Sequence, residues 1–533
     1  MTQVREEIKN IIENSLKILQ KEGVLSEFNI PEIEIEHPEE KIHGDYSTNV
    51  AMAMAKIAKK SPLEIAENLK LQILKPKSEL FERIEVVEPG FINFFLSKEY
   101  LQKQVEEILK QKKNFGQLKI GKSQKAQVEF ISANPTGSLH IGNGRGAFFG
   151  DTIANVLQKS GYKVTREYYI NDAKVNTQIR TLGQTALGKG TTYLTEDLKS
   201  KIQNLKSKLE KISDEGEAGH LLAQIVHKEI RNFIEDKLKI KFNNWVSEEN
   251  LYRKSKIKKI YNWLKNKNLV YQKEGAEWLR ISQYGAQKDE VIIRKDDNPT
   301  YFLSDIAYHK DKFDRGFQKI INIWGADHQG HVPKIKAIAK ILGFKGNLDI
   351  LISQIIRLKG GLKLSKRKGI IITLDDLIDE VGLDVARFFY LTKSLNTQME
   401  FDLELAKEQS EKNPVYYVQY AHARICSILR KIQNPKSKIQ NLELLKHQTE
   451  LELIKQLIRL PEIIEDTAKD FQVQRISQYA IDLANVFHQF YRDCRVLTDD
   501  KNLSEARLAL ILATKIVLQN TLNLIGISTP ERM

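Results

Sequence analysis

Cysteine is scarce in this chain, which has only Cys426 and Cys494 among its 533 residues. Both lie in segments with helical periodicity and far apart, so they can form neither a disulfide framework nor a Cys-rich zinc site. We therefore interpret both as buried thiols and expect no protein-bound zinc. We single out no residues as metal ligands.

Long apolar runs are also missing. No stretch approaches the roughly 20 uninterrupted apolar residues that cross a bilayer. Residues 1–23 place Ile and Leu among charged side chains at helical spacing, whereas a secretory signal carries a continuous apolar segment. We expect a cytoplasmic protein that has no membrane partner.

Acidic residues are outnumbered: 69 Asp and Glu stand against 83 Lys and Arg, which gives a formal net charge of +14. An excess of cations suits a polyanionic partner, because each Lys or Arg that neutralises a phosphate releases a counterion. A Lys-rich solvated surface has the same composition. The charge alone therefore leaves nucleic-acid binding open.

The length is more than one hydrophobic core accommodates, and it predicts about three or four domains. Residues 1–119 mix helical patterns with short strands and predict an α+β domain. Residues 120–400 contain a β-loop-α-β unit, the building block of a parallel sheet, with a helical insertion at about 190–260. Residues 401–533 are almost purely helical in pattern and predict an all-α domain.

The same patterns predict individual elements. The predicted strands are residues 84–87, 91–96, 126–131, 163–169, 292–293, 301–303, 320–324 and 348–353. A helix is predicted from about residue 140 to 159, after a loop rich in Ser, Pro and Gly. Turns between C-terminal helices are predicted at 434–435 and 498–502.

Two glycine-rich stretches match other nucleotide-binding motifs in part. Residues 183–189 fit most of a P-loop, but Gly190 stands where a Ser or Thr must hold magnesium, and no strand precedes it. Gly142, Gly144 and Ala147 have the spacing of a dinucleotide fingerprint, but a Pro-containing loop separates them from the strand that should lead directly into the first glycine. Both interpretations are disfavoured.

The loop at 133–139 predicts a phosphate site of a different kind. It places His140 and Asn143 one helical turn apart at the start of a helix. A helix N-terminus is partly positive, and two hydrogen-bonding side chains there can hold a triphosphate while charge develops at the attacked phosphorus. A lone His at such a position is usually a cap, so the interpretation depends on a second motif.

That second motif is the stretch 358–369, in which glycines flank a run of cations after a predicted strand. A loop of this kind can close Lys363 and Lys366 over a leaving pyrophosphate, whose negative charge grows in the transition state. Taken alone, a Lys-rich loop is usually a solvated one. The two motifs together are far more specific than either.

The segment His140-Ile141-Gly142-Asn143 resembles the HIGH motif of class I aminoacyl-tRNA synthetases, and residues 363–367 (KLSKR) resemble their KMSKS loop. Other stretches resemble bacterial arginyl-tRNA synthetases in particular, namely residues 42–49, 128–137, 168–172, 305–309, 324–328, 413–424 and 530–533. The resemblance covers essentially the whole chain. It implies a Rossmann-like parallel-sheet catalytic core, an N-terminal additional tRNA-binding domain and a C-terminal anticodon-binding domain.

The resemblance also implies site residues. The catalytic residues are His140, Asn143, Lys363 and Lys366. The ATP-binding residues are Gly137, His140, Gly142, Asn143, Gly325, Asp327, Lys363, Ser365 and Lys366. The arginine-binding residues are Glu129, Ser132, Asn134, Tyr301, Asp305 and His328. The tRNA-binding residues are Tyr416, Tyr417, Tyr420, Arg424 and Met533.

The amino-acid pocket also follows from chemistry. A guanidinium is planar and permanently charged, so a selective site needs a fixed carboxylate and a hydroxyl or aromatic neighbour. The resemblance assigns these roles to Asp305 and Tyr301, which lie four residues apart. The alternative is that Asp305 caps a helix. Two residues depart from the family pattern: Asn143 replaces a second His, and His328 stands where relatives carry Gln. An amide can still donate to phosphate, so we expect activity to survive.

In the C-terminal domain, Tyr417, Tyr420 and Arg424 are spaced as one helix face, which offers rings for stacking and a cation for phosphate. An aromatic stripe at this spacing is more often part of a core, and both interpretations stay open.

The resemblance implies that the chain uses ATP with Mg²⁺ to activate L-arginine and then charges the 3′ terminal adenosine of tRNA(Arg), as a monomer. Two alternatives are another class I specificity, which the Tyr301 and Asp305 pair disfavours, and an RNA-binding relative without catalysis, which would require Asn143 to be disabling.

Overall fold

The computed structural model describes residues 4–75, 79–361, 372–431 and 440–533. Its α-helices are α1 (Val4–Lys21), α2 (Val50–Ala58), α3 (Pro62–Leu74), α4 (Lys98–Gln111), α5 (Ile141–Lys159), α6 (Thr177–Ala186), α7 (Glu196–Asn204), α8 (Lys206–Leu209), α9 (Glu215–Asn232), α10 (Glu248–Arg253), α11 (Lys256–Asn266), α12 (Tyr301–Asp314), α13 (Val332–Ile341), α14 (Leu374–Val381), α15 (Leu383–Tyr390), α16 (Leu403–Lys407), α17 (Pro414–Arg430), α18 (Gln448–Ile458), α19 (Leu460–Asp470), α20 (Gln474–Asp493) and α21 (Lys501–Leu524). Across those ranges, no helix combines the length and apolar character needed to cross a membrane.

The strands fall into four sheets. They are β1 (Tyr46–Thr48), β2 (Phe81–Val87), β3 (Phe91–Leu96), β4 (Lys125–Glu129), β5 (Lys163–Ile170), β6 (Asn244–Ser247), β7 (Val270–Lys273), β8 (Ala276–Leu279), β9 (Glu290–Ile293), β10 (Lys319–Gly325), β11 (Asn347–Ser353), β12 (Ile356–Leu358) and β13 (Met399–Phe401). The N-terminal sheet has the antiparallel order β1-β3-β2, with α1 to α4 beside it in the chain. The predicted strands at 84–87 and 91–96 are confirmed as parts of β2 and β3, which pair antiparallel.

The central sheet has five parallel strands in the order β11-β10-β4-β5-β6. Chain order therefore reverses between β4 and β10. In an open parallel sheet, ligands bind outside the carboxyl ends of the strands at such a reversal. Ala126 and Val128 on one face of β4 and Gln127 on the other are all fully buried, as expected for a strand covered on both faces. The predicted parallel sheet is confirmed, and its reversal point marks where a site is expected.

Several predicted elements differ from the structure. The predicted strand at 301–303 is wrong, because these residues form the first turn of α12. A short apolar run does not distinguish a strand from a buried helical turn. The predicted strand at 292–293 belongs to β9, but in a separate antiparallel sheet with β7 and β8. The strand β6, which completes the parallel sheet, lies inside the range 190–260 that was predicted to be helical.

From α17 to α21 the C-terminal part is helical, as predicted. The predicted turn at 498–502 spans the junction before α21, which begins after the cap Asp500, and the one at 434–435 lies outside the described residues. Arg387 of α15 donates to the carbonyl of Ile525, at 2.6 Å, and forms a buried salt bridge with Asp151 of α5. These contacts fix the C-terminal helices against the parallel sheet.

The N-terminal and C-terminal parts meet around one buried carboxylate, Glu462 of α19. Tyr46 donates its hydroxyl hydrogen to Glu462 at 2.9 Å, and His37 and Arg5 contact the same carboxylate at 2.8 and 3.4 Å. Beside them, Lys455 pairs with Asp45 at 2.7 Å. The stretch 42–49 therefore contributes to an interface between the two ends of the chain.

Candidate active site

The candidate site lies at the carboxyl ends of β4 and β10, where the strand order reverses. From β4 the chain continues through a loop into α5, and from β10 it continues through a 3-10 turn, Ala326–His331, into α13. The helix α12 precedes β10. Residues predicted from three separated stretches of sequence are therefore brought to one edge of the sheet.

The loop after β4 begins with a strained turn. Ile131 and Ser132 have φ angles of 67° and 39°, a left-handed conformation that is unfavourable for a β-branched residue and costs about 1–3 kcal/mol. Ser132 holds the turn, because its Oγ donates to Glu129 Oε1 at 3.1 Å and accepts from the Tyr169 N–H at 3.1 Å. The predicted strand at 126–131 therefore ends early, at Glu129, and the chain turns toward the crevice.

His140 and Asn143 form a reciprocal cap at the start of α5. The His140 backbone N–H donates to Asn143 Oδ1 at 2.9 Å, and the Gly142 N–H donates to His140 Nδ1 at 3.0 Å. Because Nδ1 accepts, we assign the ring hydrogen to Nε2. Partial burial lowers the pKa of His140 below its ordinary value, which also favours the neutral ring. Its Nε2–H and the Asn143 amide NH₂ remain as donors for an anion.

The segment that follows residues 362–371 runs beside this cap. Ile141 donates its N–H to the Ile372 carbonyl at 3.2 Å, and Leu374 donates to the Leu139 carbonyl at 2.8 Å. A β-bridge joins His140 and Thr373 between them. The candidate catalytic residues Lys363 and Lys366 and the candidate ATP-binding residue Ser365 lie outside the described residues. The residues that follow them, from Ile372 to Leu374, lie directly against His140.

Glu129, at the end of β4, is neutralised by a buried lysine of α12. The Lys312 side chain is fully buried and forms a salt bridge with the Glu129 carboxylate. Lys312 also donates to Asn322 Oδ1 at 2.8 Å, and Asn322 contacts His309 Nε2 at 3.1 Å. Since His309 Nδ1 donates to the Asp305 carbonyl at 2.8 Å, its Nε2 accepts the Asn322 hydrogen, and burial lowers the pKa of His309 to about 3.

Asp305 presents a carboxylate with no compensating partner. Its side chain is half-buried, and no hydrogen bond or salt bridge to it is found within the described ranges. Burial, followed by the nearby charges of Glu248 and Glu129, raises the pKa of Asp305 to about 8, although Lys312 acts in the opposite direction. A cation that enters this site would stabilise the ionised form. The arrangement is suited to a cationic side chain, and Asp305 does not act as a helix cap.

The sequence did not single out Glu248, the first residue of α10. It is 3% exposed, and burial raises the pKa of its carboxyl group. Asn176 donates to Glu248 Oε2 at 3.1 Å. Nearby, the hydroxyls of Tyr252 and Ser304 form a hydrogen bond with an oxygen–oxygen distance of 2.8 Å. The available signal was an acidic residue at the carboxyl end of β6, but that strand was not recognised.

Other predicted residues occupy more open positions. Tyr301 is 54% exposed and its hydroxyl contacts His331 Nε2 at 3.1 Å. His328 and Asp327 are exposed beside each other, with Nε2 and Oδ2 3.5 Å apart. Asn134 is exposed in the loop after β4. Tyr301, His328 and Asn134 were predicted to share the arginine site with Asp305, but within the described residues no hydrogen bond joins their side chains to it.

The predicted glycines differ in what surrounds them. A Cβ atom on Gly137 would meet nothing within 4 Å, so the fold itself does not require glycine there. On Gly142 the Cβ would lie 2.7 Å from the His140 ring, and on Gly325 it would lie 2.6 Å from Asp327 Oδ1. Gly142 therefore protects the His140 cap, and Gly137 borders open space.

The aromatic face of α17 is partly exposed. Tyr416 and Tyr420 stack with centroids 6.3 Å apart, and the Arg424 guanidinium lies 5.1 Å from the rings of both Tyr420 and Tyr491. Tyr417 packs on His488 instead, at 4.9 Å. Arg424 also donates to the Tyr420 hydroxyl. At the end of the chain, Met533 is 51% exposed.

Comparison with known proteins identifies three matching family models. They are the arginyl tRNA synthetase N-terminal domain over residues 6–96, the catalytic domain of class I (R) tRNA synthetases over 104–182 and 188–425, and the DALR anticodon binding domain over 418–533. Together these models match most of the chain.

Curated relatives extend over the full length. The arginine–tRNA ligase of Caldanaerobacter subterraneus subsp. tengcongensis is 43% identical and matches 99% of both chains. That of Bacillus subtilis is 41% identical and matches 99% of this chain and all of its own. Among solved structures, the Thermus thermophilus arginyl-tRNA synthetase has a TM-score of 0.79 at 22% identity and covers 99% of this chain and 100% of its own. That likeness shows the same fold.

Proposed function

We propose, because this chain belongs to the arginyl-tRNA synthetase family, that it uses ATP to activate L-arginine and ligates it to tRNA(Arg), releasing AMP and pyrophosphate. The observation that carries the proposal is the unpaired Asp305 carboxylate, whose pKa is raised to about 8 at the end of the parallel sheet. A permanently charged guanidinium is the side chain that best compensates it.

In the proposed amino-acid site, Asp305 and Glu248 receive the guanidinium. Glu129 and Asn134 lie on the strand end and loop that lead toward His140, and we assign them to the α-ammonium group. Ser132 holds Glu129 in place through its 3.1 Å hydrogen bond. Each hydrogen bond to a charged group contributes about 1.5–3 kcal/mol, so several together exclude amino acids that lack the guanidinium. Tyr301 and His328 are assigned to the more open side of the same site.

In the proposed first step, an oxygen of the arginine carboxylate attacks the α-phosphorus of the magnesium complex of ATP. The bond from that phosphorus to the bridging oxygen breaks, and pyrophosphate leaves. His140 Nε2–H and the Asn143 amide donate to the phosphates at the partly positive start of α5. We assign Lys363 and Lys366 to the leaving pyrophosphate.

We assign the remaining residues of the proposed ATP site to the surface that surrounds the nucleotide. Gly137 and Gly142 have no side chain that would hinder the approach of the nucleotide to the backbone. Ser365 lies between Lys363 and Lys366 in the sequence, and we assign it to the same phosphates. Gly325 and Asp327, after β10, face the same crevice across the reversal point of the sheet. Such a crevice is where nucleotides bind in doubly wound folds.

In the proposed second step, a hydroxyl of the terminal tRNA adenosine takes the arginyl group and AMP leaves. We assign residues 1–119 and 401–533 to tRNA binding and residues 120–400 to catalysis. Tyr416, Tyr420 and Arg424 form one stacked, partly exposed row, to which tRNA bases can add. We also assign Tyr417 and Met533 to tRNA binding. We further propose that the protein is a cytoplasmic monomer.

The test is pyrophosphate exchange into ATP with each amino acid in turn, with and without total tRNA. Arginine is expected to be the only amino acid that supports exchange. A dependence of that exchange on tRNA would show that the RNA completes the site. Exchange with another amino acid would contradict the pocket assignment but retain the enzyme class. Folded protein that binds tRNA yet exchanges with no amino acid would favour an RNA-binding protein without catalysis.

Arginine affinity is expected to depend on pH through Asp305. Below its pKa of about 8, the free site binds a proton that the guanidinium must displace. The KM for arginine should therefore rise by up to about tenfold for each pH unit below 8 and level off above it. Calorimetry near neutral pH in buffers of different ionisation enthalpy should show release of about one proton. A KM that stays constant across this range would contradict the assignment.

A further inference from the structure

Three parts of the chain meet at the carboxylate of Asp384, in the first turn of α15. Gln419 of α17 donates a side-chain hydrogen to Asp384 Oδ2 at 2.9 Å. Ser528, which follows α21, donates its backbone N–H to Asp384 Oδ1 at 3.2 Å and its hydroxyl hydrogen to Oδ2. Gln419 also donates to the Ser528 carbonyl, at 3.1 Å. These three residues form the Asp384 joint, which connects α15, α17 and the segment after α21.

The segment after α21 is bonded to both helices, on either side of the Asp384 joint. Before the joint, Arg387 of α15 donates to the Ile525 carbonyl at 2.6 Å. After it, His422 of α17 donates from Nδ1 to the Pro530 carbonyl at 2.9 Å. The segment therefore bridges α15 and α17, with the joint between its two attachments.

The two helices belong to parts of the protein with different proposed roles. Arg387 of α15 also forms a buried salt bridge with Asp151 of α5, the helix that begins at the His140 cap. The helix α17 carries the stacked row to which we assign tRNA bases, and Gln419 lies on this helix with 9% of its surface exposed. The Asp384 joint thus sets the position of the tRNA-binding helix relative to the catalytic helix.

The hydrogen bonds of the joint specify an angle as well as a contact. Apolar burial is non-directional, whereas a hydrogen bond weakens steeply as its angle departs from linearity. Three hydrogen bonds to one carboxylate therefore resist rotation of α17 relative to α15. A tRNA bound to α17 must reach the catalytic part, so a small rotation at the joint becomes a larger displacement of its 3′ end. A misplacement of about 1 Å can lower a rate by about a hundredfold.

We propose that Asp384 is a positioning residue for the charging of tRNA. With Gln419 and Ser528 it holds α17 in the orientation that presents the tRNA 3′ end to the catalytic part. This inference rests on the proposed function, and within it on tRNA binding by α17. The polar groups of the joint are bonded to one another, so breaking the joint leaves the stacked row intact. The affinity for tRNA is then retained while the productive geometry is lost.

The test is Asp384→Ala in the full-length protein. The kcat for charging tRNA(Arg) is expected to fall by about tenfold to hundredfold. The Kd for tRNA(Arg), from filter binding, and the KM for arginine should stay at their wild-type values. The kcat is counted per active site, from the burst of the first turnover, and measured well below the melting temperature. A merely structural role would lower the melting temperature and the number of active sites, but not the kcat of each site.

Asp470→Ala is the matched control. Asp470 accepts hydrogen bonds from the Gln472 N–H at 3.0 Å and from two nitrogens of Arg475 at 3.1 and 2.7 Å. All of these groups lie between α19 and α20, within the C-terminal helices. This variant should therefore melt at a lower temperature and keep the wild-type kcat.

Ser528→Ala tests the joint from its other side and serves if Asp384→Ala fails to fold. It should lower kcat in the same way, by a smaller factor. In the variant with both substitutions, kcat should fall by less than the product of the two separate factors, because the two residues act in one joint.

The proposal is overturned if Asp384→Ala and Ser528→Ala keep the wild-type kcat, if they weaken tRNA binding instead, or if their effects multiply independently. An equal loss of kcat in Asp470→Ala would also overturn it, because any disturbance of the C-terminal helices would then have the same effect. Absence of arginine charging by the wild-type protein would instead overturn the proposed function.

Discussion

Asp305→Asn is expected to lower kcat/KM for arginine by about a hundredfold to a thousandfold, because charge-assisted hydrogen bonds contribute about 1.5–3 kcal/mol each and a carboxylate can make two with a guanidinium. Asn has the same shape, but its amide hydrogens face a ligand that can only donate. Pyrophosphate exchange at saturating ATP measures the loss. The KM for ATP should not change.

The same Asp305→Asn substitution that lowers activity should increase the thermal stability of the protein. The raised pKa of Asp305, about 8, means that the folded protein binds the proton more tightly than the unfolded chain. Wild-type stability is therefore lost as pH rises from the unfolded pKa, near about 4, toward 8. Asp305→Asn removes that loss and should melt at a higher temperature than wild type at pH 8. Asp314→Asn, on the exposed side of the same helix, is the control. A stable Asp305→Asn enzyme with wild-type arginine kinetics would contradict the pocket.

Lys312→Met is expected to destabilise the protein by about 3–5 kcal/mol, since it leaves the buried Glu129 carboxylate without its cation. Lys312 is completely buried and also donates to Asn322 at 2.8 Å, so both acceptors lose their donor. Urea unfolding measures the change.

A second substitution separates the ion pair from the packing. In the double variant Lys312→Met with Glu129→Gln, no unpaired charge remains buried, and much of the lost stability should return. Lys310→Met removes the neighbouring exposed pair with Asp314 and should change stability by no more than about 0.5 kcal/mol. If the single and double variants are equally unstable, the loss comes from packing and not from the unpaired carboxylate.

The parts of the site that sequence could predict depend on local patterns. The start of α5 follows from the loop and from two polar residues three apart, and the structure shows both in a reciprocal cap. Asp305 and Tyr301 were recognisable from their chemistry and their spacing of four, although residues 301–303 were predicted to be a strand and form the first turn of α12. Both motifs are features of a few consecutive residues, for which local side-chain chemistry is informative.

The remaining parts depend on distant segments. Lys312 and Glu129 are 183 residues apart, and nothing in either local pattern pairs them. Glu248 lies near Asp305 because β6 joins the sheet beside β5. The strand β6 has only four residues and lies between Lys-rich segments with helical periodicity, so its pattern is not recognisable. The left-handed turn at Ile131 is likewise invisible in a sequence that continues the strand pattern, because tertiary contacts maintain it against local preference.

The buried Glu462 makes the two ends of the chain depend on one another for folding. Its carboxylate receives Tyr46 and Arg5 from the N-terminal part, so a fragment that begins after residue 119 would lose both of these donors and the contacts around them. Such a fragment should be unstable even though its own helices are complete. Unfolding of the C-terminal helices is therefore cooperative with unfolding of the first hundred residues, across most of the length of the polypeptide.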